Sequence, residues 1–377
     1  MRDSAQAQTT KLNAYPLWSP RFWHGMRAGD YLELLHQNRF QVHPVRWSMA
    51  LILGPVSVFN STLFRLQRLF YERKIQETEI TQPPVFIVGH WRSGTTFMHE
   101  LLIRDPCFGF PSTYECFAPY HFLITNWILP KMLRFLLPSR RPQDNMPAGF
   151  DRPQEDEFAL VSMGAPTTYY RMAFPNRSVP YLETLNMEGL SDRDLQRFQQ
   201  SLRYFLKSLT LKQKKQLVLK SPPHTGRIRL LAEMFPGAKF IHLVRDPYAV
   251  FSSMRRAWQA FDTIQGFQIP HHEQLDEFIL EAFVRMYEGF ERQRPQLDPQ
   301  NICDVRYEDL AEHPVRVVQE VYDQLALGDF ESVHPRLTEY VATLKDYQPN
   351  RHELSGEIKS QIDERWGPFM KRYDYVD

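Results

Sequence analysis

Residues 84–96, with the sequence PVFIVGHWRSGTT, constrain the fold more than any other part of the chain. An apolar strand leads into a loop bounded by Gly89 and Gly94, and a stretch with helical periodicity begins at Thr95. In such a strand–loop–helix unit, backbone N–H groups and the helix dipole converge on an anion, and glycines let the loop curl around it. The segment therefore predicts a phosphate-binding loop at the edge of a parallel sheet.

Three more apolar strands are predicted, at residues 216–220, 239–245 and 302–307. Helix-period segments alternate with them, which is typical of an α/β fold with a parallel sheet. We expect a P-loop-like parallel sheet flanked by helices in one domain over residues 81–377. Residues 1–80 are predicted to form an N-terminal helical cap that packs on this domain.

The overall charge of the chain is close to zero, since 45 Lys and Arg residues face 44 Asp and Glu residues. No general basic field is available to attract nucleic acid, and an anionic ligand must be held by a local cluster. The three cysteines lack metal-ligand spacing, and the polar first residues lack the apolar core of a signal peptide. These features favour a cytoplasmic protein that does not bind nucleic acid.

One strongly apolar stretch, residues 47–64, is followed by Arg65, Arg68, Arg73 and Lys74. A membrane span needs about 20 apolar residues, and Pro55, Asn60 and Ser61 interrupt this one. We interpret it as a buried helix that packs on the main domain. The alternative is peripheral contact with a membrane surface through residues 47–74.

The charge within the phosphate loop separates two chemistries. The spacing of Gly89 and Gly94 matches the loop of nucleoside triphosphate-binding proteins, but Thr95 stands where that motif requires Lys. Arg92, inside the loop, supplies the positive charge instead, which suits a shorter anion than a triphosphate. A P-loop kinase or NTPase remains an alternative, as does a non-catalytic nucleotide-binding protein.

A second motif, VRDPYAVFSS, follows the predicted strand 239–245. Arg245 ends that strand, where open α/β sheets bind ligands, and its guanidinium can hold a phosphate in a forked geometry. Ser253 lies eight positions further on, in the helix predicted to begin after Asp246.

With these two motifs in this order, the chain resembles the sulfotransferases that depend on 3′-phosphoadenosine 5′-phosphosulfate (PAPS), and especially bacterial members with Arg in the loop. The resemblance implies an enzyme that moves a sulfuryl group from PAPS to a hydroxyl or amine and releases adenosine 3′,5′-bisphosphate. No metal is required in this chemistry. The acceptor is expected to be a small molecule, a lipid or a carbohydrate.

The same resemblance assigns roles to individual residues. Tyr307 is expected near the adenine, and Arg351 and His352 stand where the family supplies a last basic loop to the 3′-phosphate. Arg245 and Ser253 are expected to hold that 3′-phosphate. The 5′-phosphosulfate is expected to bind the loop residues Arg92, Ser93, Gly94, Thr95 and Thr96.

The catalytic base is predicted in the acidic segment PQEDEF, residues 153–158, with Glu155 as first choice and Glu157 as second. Alternatively, these acids only complement a helix dipole. Arg92 and Lys220 are expected to stabilise charge near the bridging oxygen. His224 comes two residues later than the histidine base of the cytosolic family members, and we expect it to orient the base or share the proton.

Overall fold

The computed structural model describes residues 19–137, 148–344 and 354–376. Within them a single five-stranded sheet has the order β2-β3-β1-β4-β5, and every pairing is parallel. The strands are β1 (Val85–Val88), β2 (Phe108–Gly109), β3 (Gln216–Lys220), β4 (Lys239–Val244) and β5 (Ile302–Arg306).

Strand β1 lies at the centre of the sheet, between β3 and β4. Ile87 pairs with Lys220 of β3, and Val88 pairs with His242 of β4. On the far side of β4, Val244 pairs with Arg306 of β5. Because all these strands run in the same direction, the segments that follow them meet at one edge of the sheet.

Both faces of the sheet are buried, as parallel sheets require. Side chains alternate between the faces, so Phe86 joins one hydrophobic core and its neighbour Ile87 joins the other. The larger core also contains the N-terminal helical elements, through Trp23 and Leu34. The smaller core is closed by helices that carry Met98 and Val318.

The helices fall into three groups along the chain. The N-terminal part and the long insertion between the first strands contain α1 (Ala28–Gln37), α2 (Trp47–Glu77), α3 (Thr95–Leu102), α4 (Thr113–Phe117), α5 (Phe122–Thr125), α6 (Leu129–Leu133), α7 (Asp156–Ser162) and α8 (Asp192–Gln213). The central part contains α9 (Ile228–Met234), α10 (Pro247–Gln265) and α11 (Leu275–Gln293). The C-terminal part contains α12 (Tyr307–Glu312), α13 (Pro314–Leu325), α14 (His334–Ala342) and α15 (Gly356–Arg372).

The predicted fold class is confirmed, and four predicted strands are present with ends shifted by two residues or fewer. The helix after β4 also begins as predicted, with the Asp246 side chain accepting a hydrogen bond from the N–H of Tyr248 and Pro247 in the first position. The strand β2 was not predicted, because two residues carry no periodicity.

Residues 47–64 form a helix as predicted, but the prediction that this helix is buried is wrong. The helix continues without interruption to Glu77, and much of its apolar surface is exposed. By length and composition, one helical stretch within the described residues, Pro44–Glu77, could cross a membrane, and 22% of its most apolar 18-residue window is buried.

Three histidines with lowered pKa values should make the protein sensitive to acid. Burial lowers the pKa of His24 to about 4, of His90 to about 3 and of His121 to about 4. They stay neutral in the folded protein, whereas in the unfolded chain they take up protons below about pH 6.5. Their contribution to the free energy of unfolding is therefore fully present above that pH, and it decreases as the pH falls towards 4.

We predict that His90→Asn reduces this pH dependence. Between about pH 7 and about pH 5.5, urea unfolding should show a loss of stability about 1 kcal/mol smaller in the variant than in the wild type. The matched control is His36→Asn, at an exposed position of α1. An unchanged pH dependence in His90→Asn would show that this histidine does not contribute.

Candidate active site

The phosphate loop has the backbone conformation that its sequence predicts. Gly89 and Gly94 have φ of 133° and 101°, and Arg92 has φ of 70°. A Cβ on Gly94 would overlap the Tyr307 ring, and one on Gly89 would overlap the carbonyl oxygen of Leu243. Both positions therefore require glycine for space as well as for φ. A left-handed arginine is strained, which is common where a loop is shaped for a ligand.

The two arginine-bearing segments meet at this loop. Arg245, which follows β4, donates a hydrogen bond from Nη1 to the carbonyl oxygen of Arg92 at 2.9 Å. The Nε of Arg92 donates to the hydroxyl of Ser253 in α10, also at 2.9 Å. Arg92, Arg245 and Ser253 thus lie in one crevice although 161 positions separate the first from the last. Two arginines in direct contact favour an anionic ligand with more than one charged group.

Tyr307, the first residue after β5, closes the same crevice. Its ring packs on Gly94, and the Arg245 guanidinium lies 4.2 Å from the ring centroid. In this position the ring limits the orientations available to the Arg245 side chain.

The three hydroxyl groups of the loop are buried to different extents. Thr95 and Ser93 are buried, and Thr96 is partly exposed at the start of α3. Within the described part of the chain, the buried Ser93 Oγ has no hydrogen-bond partner. A buried hydroxyl without a partner is costly, so an oxygen of a bound anion at this point would satisfy it.

Glu155 is the residue immediately before α7, and two hydrogen bonds fix its carboxylate. Its Oε1 accepts a hydrogen bond from Lys220 Nζ at 2.6 Å, and its Oε2 accepts one from the Tyr169 hydroxyl at 2.6 Å. Tyr169 in turn accepts from Trp91 Nε1 at 2.7 Å, which connects the acid to the phosphate loop. Burial, and then the negative charge of Glu155, raises the pKa of Tyr169 well above its usual value. The phenol therefore remains a donor that fixes the carboxylate.

The next two acids point elsewhere. Asp156 Oδ2 lies 2.7 Å from His224 Nε2, and both side chains are fully buried. Glu157 is also fully buried, where its carboxylate accepts from both terminal nitrogens of Arg227, at 2.7 and 3.1 Å, and from the Thr167 hydroxyl at 2.6 Å.

This geometry distinguishes among the predicted bases. Glu155 is 14% exposed, whereas Glu157 and His224 have no exposed surface from which to reach an acceptor. His224 contacts Asp156 instead of Glu155, so the expectation that it orients the base or shares its proton does not fit this structure. Glu157 likewise serves a buried ion pair and not the crevice.

Two predicted residues, Arg351 and His352, lie outside the described residues. Sequence reasoning also missed Tyr169 and Trp91, which fix Glu155. Tyr169 belongs to a short 3-10 helix, Thr168–Met172, with no motif around it. Trp91 is inside the loop motif, and its position beside Arg92 was the available signal.

The arrangement can hold an anion and remove a proton close to it. Positive charge comes from Arg92, Arg245 and Lys220, and the partly accessible carboxylate of Glu155 accepts a hydrogen bond from Lys220. Over the described residues, no group of three or more His, Cys, Asp or Glu side chains could hold a metal ion. Such a site is suited to transfer of an anionic group to a nucleophile that must lose a proton.

Comparison with known proteins agrees with this chemistry. Residues 83–331 match the model of the sulfotransferase family. The chain is 39% identical over 371 residues to omega-hydroxy-beta-dihydromenaquinone-9 sulfotransferase Stf3 from Mycobacterium bovis, and the match covers 98% of this chain and 95% of that protein. The Stf3 of Mycobacterium tuberculosis matches equally well.

Two crystal structures share the fold. Sulfotransferase STF1 from M. tuberculosis H37Rv is 18% identical with a TM-score of 0.64, over 90% of both chains. Sulfotransferase STF9 from Mycobacterium avium is 17% identical with a TM-score of 0.65, over 93% of this chain and 97% of the other. The resemblance inferred from the phosphate loop and the Arg245 motif is thereby confirmed: the chain belongs to the sulfotransferase family.

Proposed function

We propose that this sulfotransferase uses PAPS as its donor and the hydroxyl of a lipophilic small molecule as its acceptor, with Glu155 as general base. The observation that carries the proposal is the position of Glu155, held by Lys220 and Tyr169 next to the phosphate loop. Donor site and base are thus parts of one crevice at the carboxyl edge of the sheet.

The residues at this edge fit a donor with two anionic ends. Arg92, the unpartnered Ser93 hydroxyl and the N-terminal amides of α3 would hold the phosphosulfate. Arg245 and Ser253 provide a forked cation and a hydroxyl for the 3′-phosphate. Tyr307, beside Arg245, offers a ring for the adenine.

In this proposal Glu155 accepts the proton of the acceptor hydroxyl as its oxygen attacks sulfur. The new O–S bond forms while the bond from sulfur to the phosphate oxygen breaks, and adenosine 3′,5′-bisphosphate leaves with the electron pair. Arg92 and Lys220 stabilise the negative charge that grows on the leaving oxygen. Lys220 is already 2.6 Å from Glu155, so it can serve both the base and the leaving group.

The acceptor class is suggested by the Stf3 relatives, whose names give an omega-hydroxylated dihydromenaquinone as substrate. At 39% identity over nearly the whole chain, we infer an acceptor of the same kind, a polyprenyl quinone or quinol with a free hydroxyl. A cytoplasmic location is part of the proposal, and the free thiols of Cys107, Cys116 and Cys303 support a reducing compartment.

An assay with PAPS and a panel of acceptors tests the function. We expect a sulfate ester, detected by mass spectrometry, on a hydroxylated polyprenyl quinone in detergent, and weaker turnover on phenols and glycosides. Binding of adenosine 3′,5′-bisphosphate without turnover of any acceptor would indicate a non-catalytic protein. Preferential binding of ATP with Mg²⁺ would support a kinase or NTPase instead.

Arg245→Ala should weaken binding of adenosine 3′,5′-bisphosphate by about 30-fold or more, since a charge-assisted phosphate contact contributes about 2 kcal/mol or more. Isothermal titration calorimetry measures the change. Arg255→Ala is the matched control, because Arg255 lies on α10, the helix that follows Arg245, is 48% exposed and pairs with Asp276. Equal affinity in the two variants would remove Arg245 from the donor site.

Glu155→Gln should lower the turnover rate, whereas Glu157→Gln should lower the stability of the fold. Glu155→Gln removes the base, so kcat should fall by about 100-fold with the bisphosphate affinity retained. Glu157→Gln leaves the buried Arg227 without its counter-charge, so stability should fall by about 3 kcal/mol or more. Steady-state kinetics and urea unfolding measure both. Full activity of Glu155→Gln, or a kcat defect in Glu157→Gln at unchanged stability, would contradict the assignment.

A further inference from the structure

Seven large, exposed apolar side chains between residues 51 and 70 lie on one face of α2. At 100° per residue, they fall within about 120° of the helix circumference. The face extends over 20 residues, or about 30 Å at 1.5 Å per residue. Its most prominent members, each more than half exposed, are Leu51, Ile52, Val58, Phe59, Leu69 and Phe70.

The opposite face of α2, which packs on the protein, is mixed: it buries the polar residues Ser57, Asn60 and Gln67 beside the apolar residues Ala50, Leu53 and Ile75. Asn60 donates its side-chain amide to the carbonyl oxygens of His24 and Met26, at 2.6 and 3.0 Å. The side-chain oxygen of Gln67 accepts from the N–H of Leu123 at 2.9 Å. A helix between protein and water normally places its apolar side inwards. In α2 the outer face is instead strongly apolar and the inner face is mixed, which indicates an apolar environment outside the protein.

A second exposed apolar group follows α5. The contact of Gln67 with Leu123, and the packing of Phe64 on Tyr120 with ring centroids 4.6 Å apart, hold this part of the chain against α2. Beyond Leu123 the chain exposes Trp127, Met132 and Phe135 by 70%, 58% and 75%. Tryptophan and phenylalanine are typical of surfaces that enter the interface of a bilayer.

The charge around this surface complements anionic lipid. Residues 44–77 and 122–137 contain seven basic and two acidic residues, a net charge of +5, although the whole chain has +1. The basic residues include Arg65, Lys74, Lys131 and Arg134, all at exposed positions. Basic residues beside exposed apolar ones add electrostatic attraction to hydrophobic insertion.

Helix α2 is attached to the protein along its length, so it lies along the surface. Tyr31 donates to the carbonyl oxygen of Ala50 at 2.8 Å near one end, and Lys207 donates to that of Gln76 at 2.5 Å near the other. In this packed state the inner face of α2, with its hydrogen-bonded polar side chains, cannot enter hydrocarbon. A bilayer can therefore meet the outer face of α2 only with the helix parallel to the membrane plane.

We propose that α2, together with residues 127–135, forms a surface that binds an anionic lipid bilayer in the plane of the membrane. The proposal extends the proposed function, because a polyprenyl acceptor resides in a bilayer. Helix α4, which carries Tyr114 and Cys116, connects this surface with Glu155, the proposed base. Thr125 of α5 accepts a hydrogen bond from the Tyr114 hydroxyl at 2.7 Å, and Cys116 Sγ donates to the Glu155 carbonyl oxygen at 3.3 Å.

Flotation with vesicles tests this surface without any acceptor. The full chain should float with vesicles of phosphatidylcholine and phosphatidylglycerol, more weakly with phosphatidylcholine alone, and more weakly at high salt. The double variant Leu69→Gln/Phe70→Gln should bind at least about tenfold more weakly, because two exposed apolar side chains are lost. The matched control Val376→Gln changes an exposed residue beyond α15, on the side of the molecule near β5.

Each outcome decides the proposal. Binding of adenosine 3′,5′-bisphosphate by the double variant shows that it is folded, so loss of flotation with retained nucleotide binding supports the surface. Absence of wild-type flotation, or equal flotation of the double variant, overturns it. A wild-type dimer in sedimentation that the double variant makes monomeric would show that a second copy covers this face instead. A protein that floats but fails to sulfate any acceptor would contradict the proposed function alone.

Discussion

Parallel pairing of β1 with both β3 and β4 is the constraint on which the site depends. The pairing places the ends of four strands at one edge, so that the phosphate loop, Lys220, Arg245 and Tyr307 are neighbours although up to 218 positions separate them in the chain. No single segment could present these groups together. The hydrophobic cores on both faces fix the register, because a shift by one residue would exchange the side chains of the two faces.

The start of α7 shows how neighbouring acids acquire different roles. Successive residues at a helix start point about 100° apart, so three carboxylates in a row cannot face one crevice. Asp156 and Glu157 turn inwards to His224 and Arg227, and Glu155, the N-cap residue, remains at the crevice. The two buried contacts hold the turn in place. The position of Glu155 therefore depends on two buried pairs that do not contact it.

The fold and the meeting of the two arginine motifs were predictable because they depend on local patterns. Strand periodicity, the spacing of Gly89 and Gly94, and the position of Arg245 after a strand each have a direct structural meaning. The sequence could not decide which of Glu155, Glu157 and His224 faces the crevice, since that depends on buried partners distant in the chain. Tyr169 was missed for the same reason. The environment of α2 was misjudged because apolar residues predict burial without saying whether protein or lipid provides it.

Arg92 adopts a left-handed backbone conformation that costs an ordinary residue about 1 kcal/mol or more. Two hydrogen bonds stabilise this conformation. The Arg245 side chain donates to the carbonyl oxygen of Arg92, and the guanidinium of Arg92 donates to the hydroxyl of Ser253. The folded protein therefore already contains this conformational strain in the absence of a ligand. These contacts hold the loop in one conformation, so the proposed binding of a donor anion would avoid the entropy loss that a flexible segment undergoes on ordering.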